Sequence, residues 1–155
     1  MSLPVDVASV THSVQLAVAP VFFLTAVAGM IGAVAGRLAR IIDRARVLDE
    51  RVRTSADQEL IKRLLMELTI LRKRGRIANF SIGCLALCGF CIGITIVSLF
   101  LGQAWETQWP LVAMACFLVG VLSFLVALGC FMWETVLATH LLNFKVLEMQ
   151  RDLLR

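Results

Sequence analysis

Cys84, Cys88 and Cys91 are the residues whose type and spacing most directly suggest chemistry. Steps of four and three put the three thiols on one face of a helix, and Cys116 could approach from a neighbouring segment. Such a cluster suits a soft ion such as Cu(I). Packing is the competing explanation, because cysteine is a small apolar residue well suited to helix contacts. Neither His12 nor His140 stands four residues from another metal ligand, and no basic side chain accompanies the thiols to make a thiolate. All five cysteines, including Cys130, fall in segments without charge, so no disulfide framework is expected. The expectation is no metal and no cofactor.

Other catalytic inventories are empty. The chain has no glycine-rich phosphate loop, no HExxH and no nucleophile elbow. Outward-facing chemistry would have to rest on Asp6, His12 and Glu106 alone, and we expect no enzymatic activity.

The arginines are the second candidate. "GRLARIIDRARVLDERVR", residues 36–53, sets six arginines and three acids on a frame of Leu38, Ile41, Ala45, Leu48 and Val52. Residues 37–76 hold 12 of the 15 Lys and Arg, interleaved with six acids and no aromatic residue, so bases would find nothing to stack on. Nucleic acid is not the expected partner. Anionic headgroups suit Arg37, Arg40, Arg72, Lys73, Arg74 and Arg76 better, at about 1 kcal/mol per charge near the surface. If Arg37, Arg40 and Arg44 ring an axis, they would instead form a basic vestibule that favours anions.

The elements that must position these residues follow from the rest of the chain. Of the 155 residues 59% are hydrophobic and 17% charged, and three windows (7–36, 77–105 and 107–133) lack Asp, Glu, Lys and Arg. Each exceeds the roughly 20 residues that a helix needs to cross the hydrocarbon layer. The expected fold is therefore all-α and membrane-integral, with three transmembrane helices that extend into a cytoplasmic helical bundle. The first apolar window has no Lys or Arg before it and is too long for a signal-peptide core, so it reads as a retained span.

The segments divide as 1–36 (first span), 37–76 (basic hairpin), 77–102 (second span), 103–110 (outer loop), 111–134 (third span) and 135–155 (C-terminal helix). Clustered basic residues mark the cytoplasmic side, which puts the N-terminus outside and the C-terminus inside. Trp105, Trp109 and Trp133 fit an interfacial belt.

Within the hairpin, Leu38, Ile41, Ala45, Leu48 and Val52 step by three and four, as do Ile61, Leu64, Leu68 and Leu71, the spacing of a coiled-coil seam. Leu142, Val146, Met149 and Leu153 extend the pattern. Ser55 with Gln58 has capping-box spacing for the second helix. Asp49 with Arg53 and Glu59 with Arg63 are i,i+4 pairs worth about 0.2–0.5 kcal/mol each. Ionisable groups at membrane depth attract functional suspicion. Here Asn79, Glu134 and His140 read as an interhelical polar lock, with Glu134 at the level of Arg37, Arg40 and Arg76. Pro20 is a candidate hinge. Ala28, Gly32 and Gly36, and Gly89 with Gly93, are small-residue steps for close helix packing, some of it between subunits.

The segment "QLAVAPVFFLTAVAGMIGAVAGRLARIIDRARVLDE" resembles the start of a bacterial membrane-protein family known only as a domain of unknown function. That family carries A-P-x-F-x-L-T, matched here by Ala19, Pro20, Phe22, Leu24 and Thr25. Its basic R-x-x-R-I-x-D-R-x-R segment is matched by Arg37, Arg40, Ile41, Asp43, Arg44 and Arg46. "RKRGRIAN" and "WETVLAT" extend the likeness over most of the chain. The resemblance implies a bacterial inner-membrane protein and no particular activity.

Three functions fit these observations: a homo-oligomeric pore with a basic vestibule, a scaffold or accessory subunit that binds a partner through Leu48 and Leu64, and an organiser of anionic lipid.

Overall fold

A computed structural model describes the backbone of residues 7–104 and 109–153, and the side chains of Gln15, 18–101 and 111–138. The described chain is all-α: α1 (Val7–Thr54), α2 (Gln58–Ala104) and α3 (Trp109–Leu153). All three are long and apolar enough to cross a membrane, with stretches within Val18–Thr54, Gln58–Leu101 and Leu111–Ala138. Phe22, Phe90, Met114 and Trp133 are each at least two-thirds exposed. Water would not tolerate so much aromatic and aliphatic surface, whereas lipid does. These are the marks of a multi-pass membrane protein.

α1 runs unbroken through Pro20 and ends at Thr54, whose hydroxyl donates to the carbonyls of Glu50 and Arg51 at 3.1 and 3.3 Å. The cap of α2 differs from the expected Ser55–Gln58 box. Asp57 takes that place: its Oδ1 accepts from the Glu59 amide at 3.0 Å, and its carbonyl accepts from the Ile61 amide at 3.0 Å. An aspartate suits this site because it satisfies an orphan amide and also puts negative charge at the positive end of the helix. Of the two expected surface pairs, Asp49–Arg53 forms at 3.1 Å, whereas Glu59 turns to Lys62 at 3.1 Å.

Burial follows a seven-residue period along every helix. On α1 the buried residues are Pro20, Val27, Val34, Ile41 and Leu48. On α2 they include Leu64, Leu71, Ala78, Leu85 and Ile92, and on α3 they are Ala113, Gly120, Ala127 and Glu134, with Ser123 beside them. A strict repeat of seven is the period of coiled-coil packing. Four of these positions on α3 hold small residues or a carboxylate, where a coiled coil ordinarily holds Leu or Ile.

The chain forms two compact units. The first comprises residues 1–33 and 82–126. Its helices approach closely at Gly120, where an added Cβ would lie 3.2 Å from Ile92 Cδ1, 3.3 Å from Cys91 Cβ and 3.4 Å from the Cys88 carbonyl. Ser123 donates to the Cys84 carbonyl at 2.8 Å, and Thr95 donates to those of Cys91 and Ala113 at 2.9 and 3.3 Å. Phe23 and Phe124 meet edge to face, with ring centroids 5.1 Å apart.

The second unit comprises residues 34–81 and 127–155. Ile41, Leu48, Leu64, Leu68 and Leu71 form one buried cluster, flanked by Ala45 and Val52. Gly75 continues it, facing Ile41 and Leu38, and Ser81 donates to the Ala127 carbonyl at 2.8 Å. Ile61 is half-buried. The side chains of Leu142, Val146, Met149 and Leu153 lie outside the described residues.

Candidate functional site

The second unit contains the densest polar arrangement of the described chain, and it is built on the same heptad frame. Arg37 lies three residues after buried Val34 and four before Ile41, so its side chain leaves α1 beside the seam. Arg74 has the same relation to Leu71 and Ala78 on α2. Glu134 occupies a core position of α3, seven residues after Ala127, and is only 2% exposed.

The carboxylate bridges both guanidiniums. Arg37 Nη1 donates to Glu134 Oε2 at 2.8 Å, while Arg74 donates to Oε1 from Nη2 at 2.6 Å and from Nε at 3.1 Å. Arg37 Nη1 also donates to Thr135 Oγ1 at 2.6 Å, and that hydroxyl donates to the Phe131 carbonyl at 2.9 Å. The guanidinium carbon of Arg37 stands 4.9 Å from the centroid of the Phe131 ring, a cation–π distance. A buried carboxylate is tolerable only when its charge is compensated and its lone pairs are filled, and both conditions hold here.

Beside this bridge lies an open pocket of about 260 Å³, lined by Arg37, Arg40, Arg44, Arg74 and Glu134 with Ile41 and Leu71. Arg44 Nη2 donates to Glu67 Oε1 at 2.7 Å. Arg40 is exposed and has no ion-pair partner among the described residues. Four guanidiniums thus converge against Glu134 and Glu67.

A profile of a protein family of unknown function, DUF2721, matches residues 17–144. The chain belongs to the DUF2721 family. The match spans the resemblance drawn from residues 19–25 and 37–46 and takes in every residue of the Arg–Glu bridge. No curated protein and no solved structure matches the chain.

The structure brings some of the suspected residues of this DUF2721 chain together and not others. Glu134 meets Arg37, as its level in the sequence suggested, but its second partner is Arg74. Arg76 is exposed, Arg40 lines the pocket without reaching the carboxylate, and Asn79 is exposed on α2. His12 and His140 lie outside the residues whose side chains are described, as do Trp105 and Trp109. Arg72 and Lys73 are exposed.

Ala28, Gly32 and Gly36 face outward, and among the described residues nothing comes within 4 Å of a Cβ built on Gly32, Gly36 or Gly93, while one on Gly89 meets Leu24 at 3.9 Å. Cys88 and Cys91 are buried where Gly120 approaches, which gives them a packing role. Among the described residues no three His, Cys, Asp or Glu side chains converge to hold a metal ion.

The sequence placed Arg74 only among the headgroup arginines and did not single out Gly120, although a signal for the packed position of both exists. Extending the seam of Leu64 and Leu71 by sevens passes Ala78, Leu85 and Ile92, which puts Arg74 on its flank; Ala113 and Ala127 bracket Gly120 in the same way.

Proposed function

We propose that this DUF2721 chain is a non-enzymatic, multi-pass protein of the bacterial inner membrane that assembles as a homo-oligomer, with its N-terminus outside and its basic hairpin and C-terminus in the cytoplasm. Its role on this reading is that of a scaffold. The observation that carries it is the surface of the hairpin. Residues 37–76 are too rich in charge to lie in hydrocarbon, yet Ile42, Val47, Leu60, Leu65, Met66 and Ile70 are exposed there although the leucine seam is already filled. Apolar surface of that kind in water marks an interface. The outward-facing Ala28, Gly32 and Gly36 offer a second one within lipid.

Particle mass in nanodiscs, read by native mass spectrometry, tests the proposal. The expected value is a multiple of the 17.1 kDa subunit that falls toward the monomer in Met66→Glu. A monomer for the unsubstituted chain overturns it.

The burial of Leu48 and Leu64 bears on how a different protein would bind. A partner would have to use the Leu65–Met66 side, since the seam is occupied within the chain.

A pore is the second reading, favoured by Arg40, the pocket arginine without an ion-pair partner among the described residues. Arg37 and Arg44 weaken it, because Glu134 and Glu67 already neutralise part of their charge. Anion flux into liposomes that is reversed in selectivity by Arg40→Glu would establish the pore, and flux equal to that of empty vesicles would remove it.

A further inference from the structure

The pocket beside Glu134 has more positive charge than the fold requires. Among the described residues, four guanidiniums face one lining carboxylate, and Glu67 at Arg44 brings the acids to two, an excess of two positive charges.

The donors are also held in place. Arg37 is fixed by Glu134, Thr135 and the Phe131 ring, and Arg74 by two hydrogen bonds to one carboxylate oxygen. Among the described residues, Nε and Nη2 of Arg37 and Nη1 of Arg74 donate no hydrogen bond. Guanidinium groups immobilised before a ligand arrives lose little entropy on binding it, and their planar forks match the oxygens of a phosphate.

Position in the sequence adds a further argument. Arg37 is the first charge after the apolar window 7–36, Glu134 the first after 107–133, and Arg74 stands three residues before 77–105 begins. All three charge-free segments therefore end at this pocket, where a bilayer presents its headgroup phosphates. Ile41 and Leu71 supply apolar wall beside the charges.

We propose that the pocket of Arg37, Arg40, Arg44 and Arg74 is a binding site for a phosphate oxyanion, with Glu134 as the residue that positions Arg37 and Arg74 and Arg40 as the cation that closes on the ligand. The proposal rests on the reading of the chain as a membrane protein and is independent of its oligomeric state. The phosphate is that of an anionic phospholipid or a free inorganic anion, and the two arms of the test separate these sources.

In the first arm, full-length protein is exchanged into nanodiscs of equal phosphatidylglycerol and phosphatidylcholine, and the lipids retained on release are counted by native mass spectrometry. A lipid site predicts a phosphatidylglycerol preference that Arg40→Gln lowers about fivefold, the worth of one cation at an anionic headgroup. Arg40→Lys keeps most of it. Arg72→Gln, an exposed cation outside the pocket that meets headgroups only diffusely, lowers it less than Arg40→Gln does. In the second arm, delipidated protein is heated with inorganic phosphate. Stabilisation by millimolar phosphate that is lost in Arg40→Gln, without a lipid preference, assigns the site to the free anion.

The proposal is overturned if neither arm responds to Arg40→Gln, or if Arg72→Gln lowers the lipid preference as much as Arg40→Gln, which would make the attraction diffuse. The same spectra give the particle mass, so a failed oligomer and a failed phosphate site are read separately.

Discussion

Residues 82–126 with the helix before residue 34, and residues 34–81 with 127–155, are built on the same seven-residue burial pattern but fill it differently. In the first unit the polar groups at the seam are hydroxyls: Ser123 and Thr95 donate to main-chain carbonyls, and glycine and cysteine let the backbones come close. In the second unit the hairpin seam is leucine and isoleucine, and beside the Ser81 hydroxyl the buried polar group is a carboxylate shared by two arginines. On the proposed topology, with the first unit in lipid and the hairpin in water, the contrast follows the solvent. Lipid surrounding apolar helices gives no hydrophobic reward for bringing leucines together, so contact depends on close packing and on hydroxyl bonds. A hairpin rich in charge meets water, where burying leucine is strongly favourable.

Substitutions that respect or violate this division test it. The largest effect is expected for Glu134→Ala, which leaves two partly buried guanidiniums facing each other. A loss of about 3–5 kcal/mol is expected, measured by denaturant unfolding in detergent, with amide exchange accelerating in 37–81 before 85–95. Uniform acceleration would mean that the two units do not differ in this way.

Leu68→Ala should cost about 2–4 kcal/mol by opening a cavity in the leucine cluster. The same assay checks it, and a cost below that of Gly120 substitutions would reverse the contrast. Gly120→Val should cost about 1–3 kcal/mol, because its Cβ would press on Ile92, Cys91 and the Cys88 carbonyl. Gly32→Val, with nothing within 4 Å, should leave the unfolding of the isolated chain unchanged and report only on assembly.

Ser123→Ala removes one hydroxyl bond, with an expected loss of about 0.6 kcal/mol. Asp49→Ala should be smallest, about 0.3 kcal/mol and abolished by salt, because both partners are half-exposed or more.

Much of this was legible in the residues. Charge-free windows and the break after Arg53 are local properties, and they anticipate three helices with a turn near residues 55–57. The hairpin seam was readable because leucines at steps of three and four have few other uses in a charged segment. Glu134 stood out as the first carboxylate after an apolar window. The continuation of the seam through 20–34, 78–92 and 113–134 was not, because small and polar residues fill those positions and every neighbouring residue is also apolar. A stripe cannot be seen against a background of its own kind.

The sequence by itself determined the number of helices, their apolar segments and the presence of an acid at the level of arginines, since each depends on composition over a short window, and its longer pattern determined the family. Only the tertiary structure decided that Arg74 joins Arg37 at the carboxylate while Arg40 pairs with none of the described residues. Arg72, Lys73 and Arg74 point in successive directions about 100° apart on one helix, with Arg76 about 200° on from Arg74, and the rotation of that helix against its neighbours selects one of them.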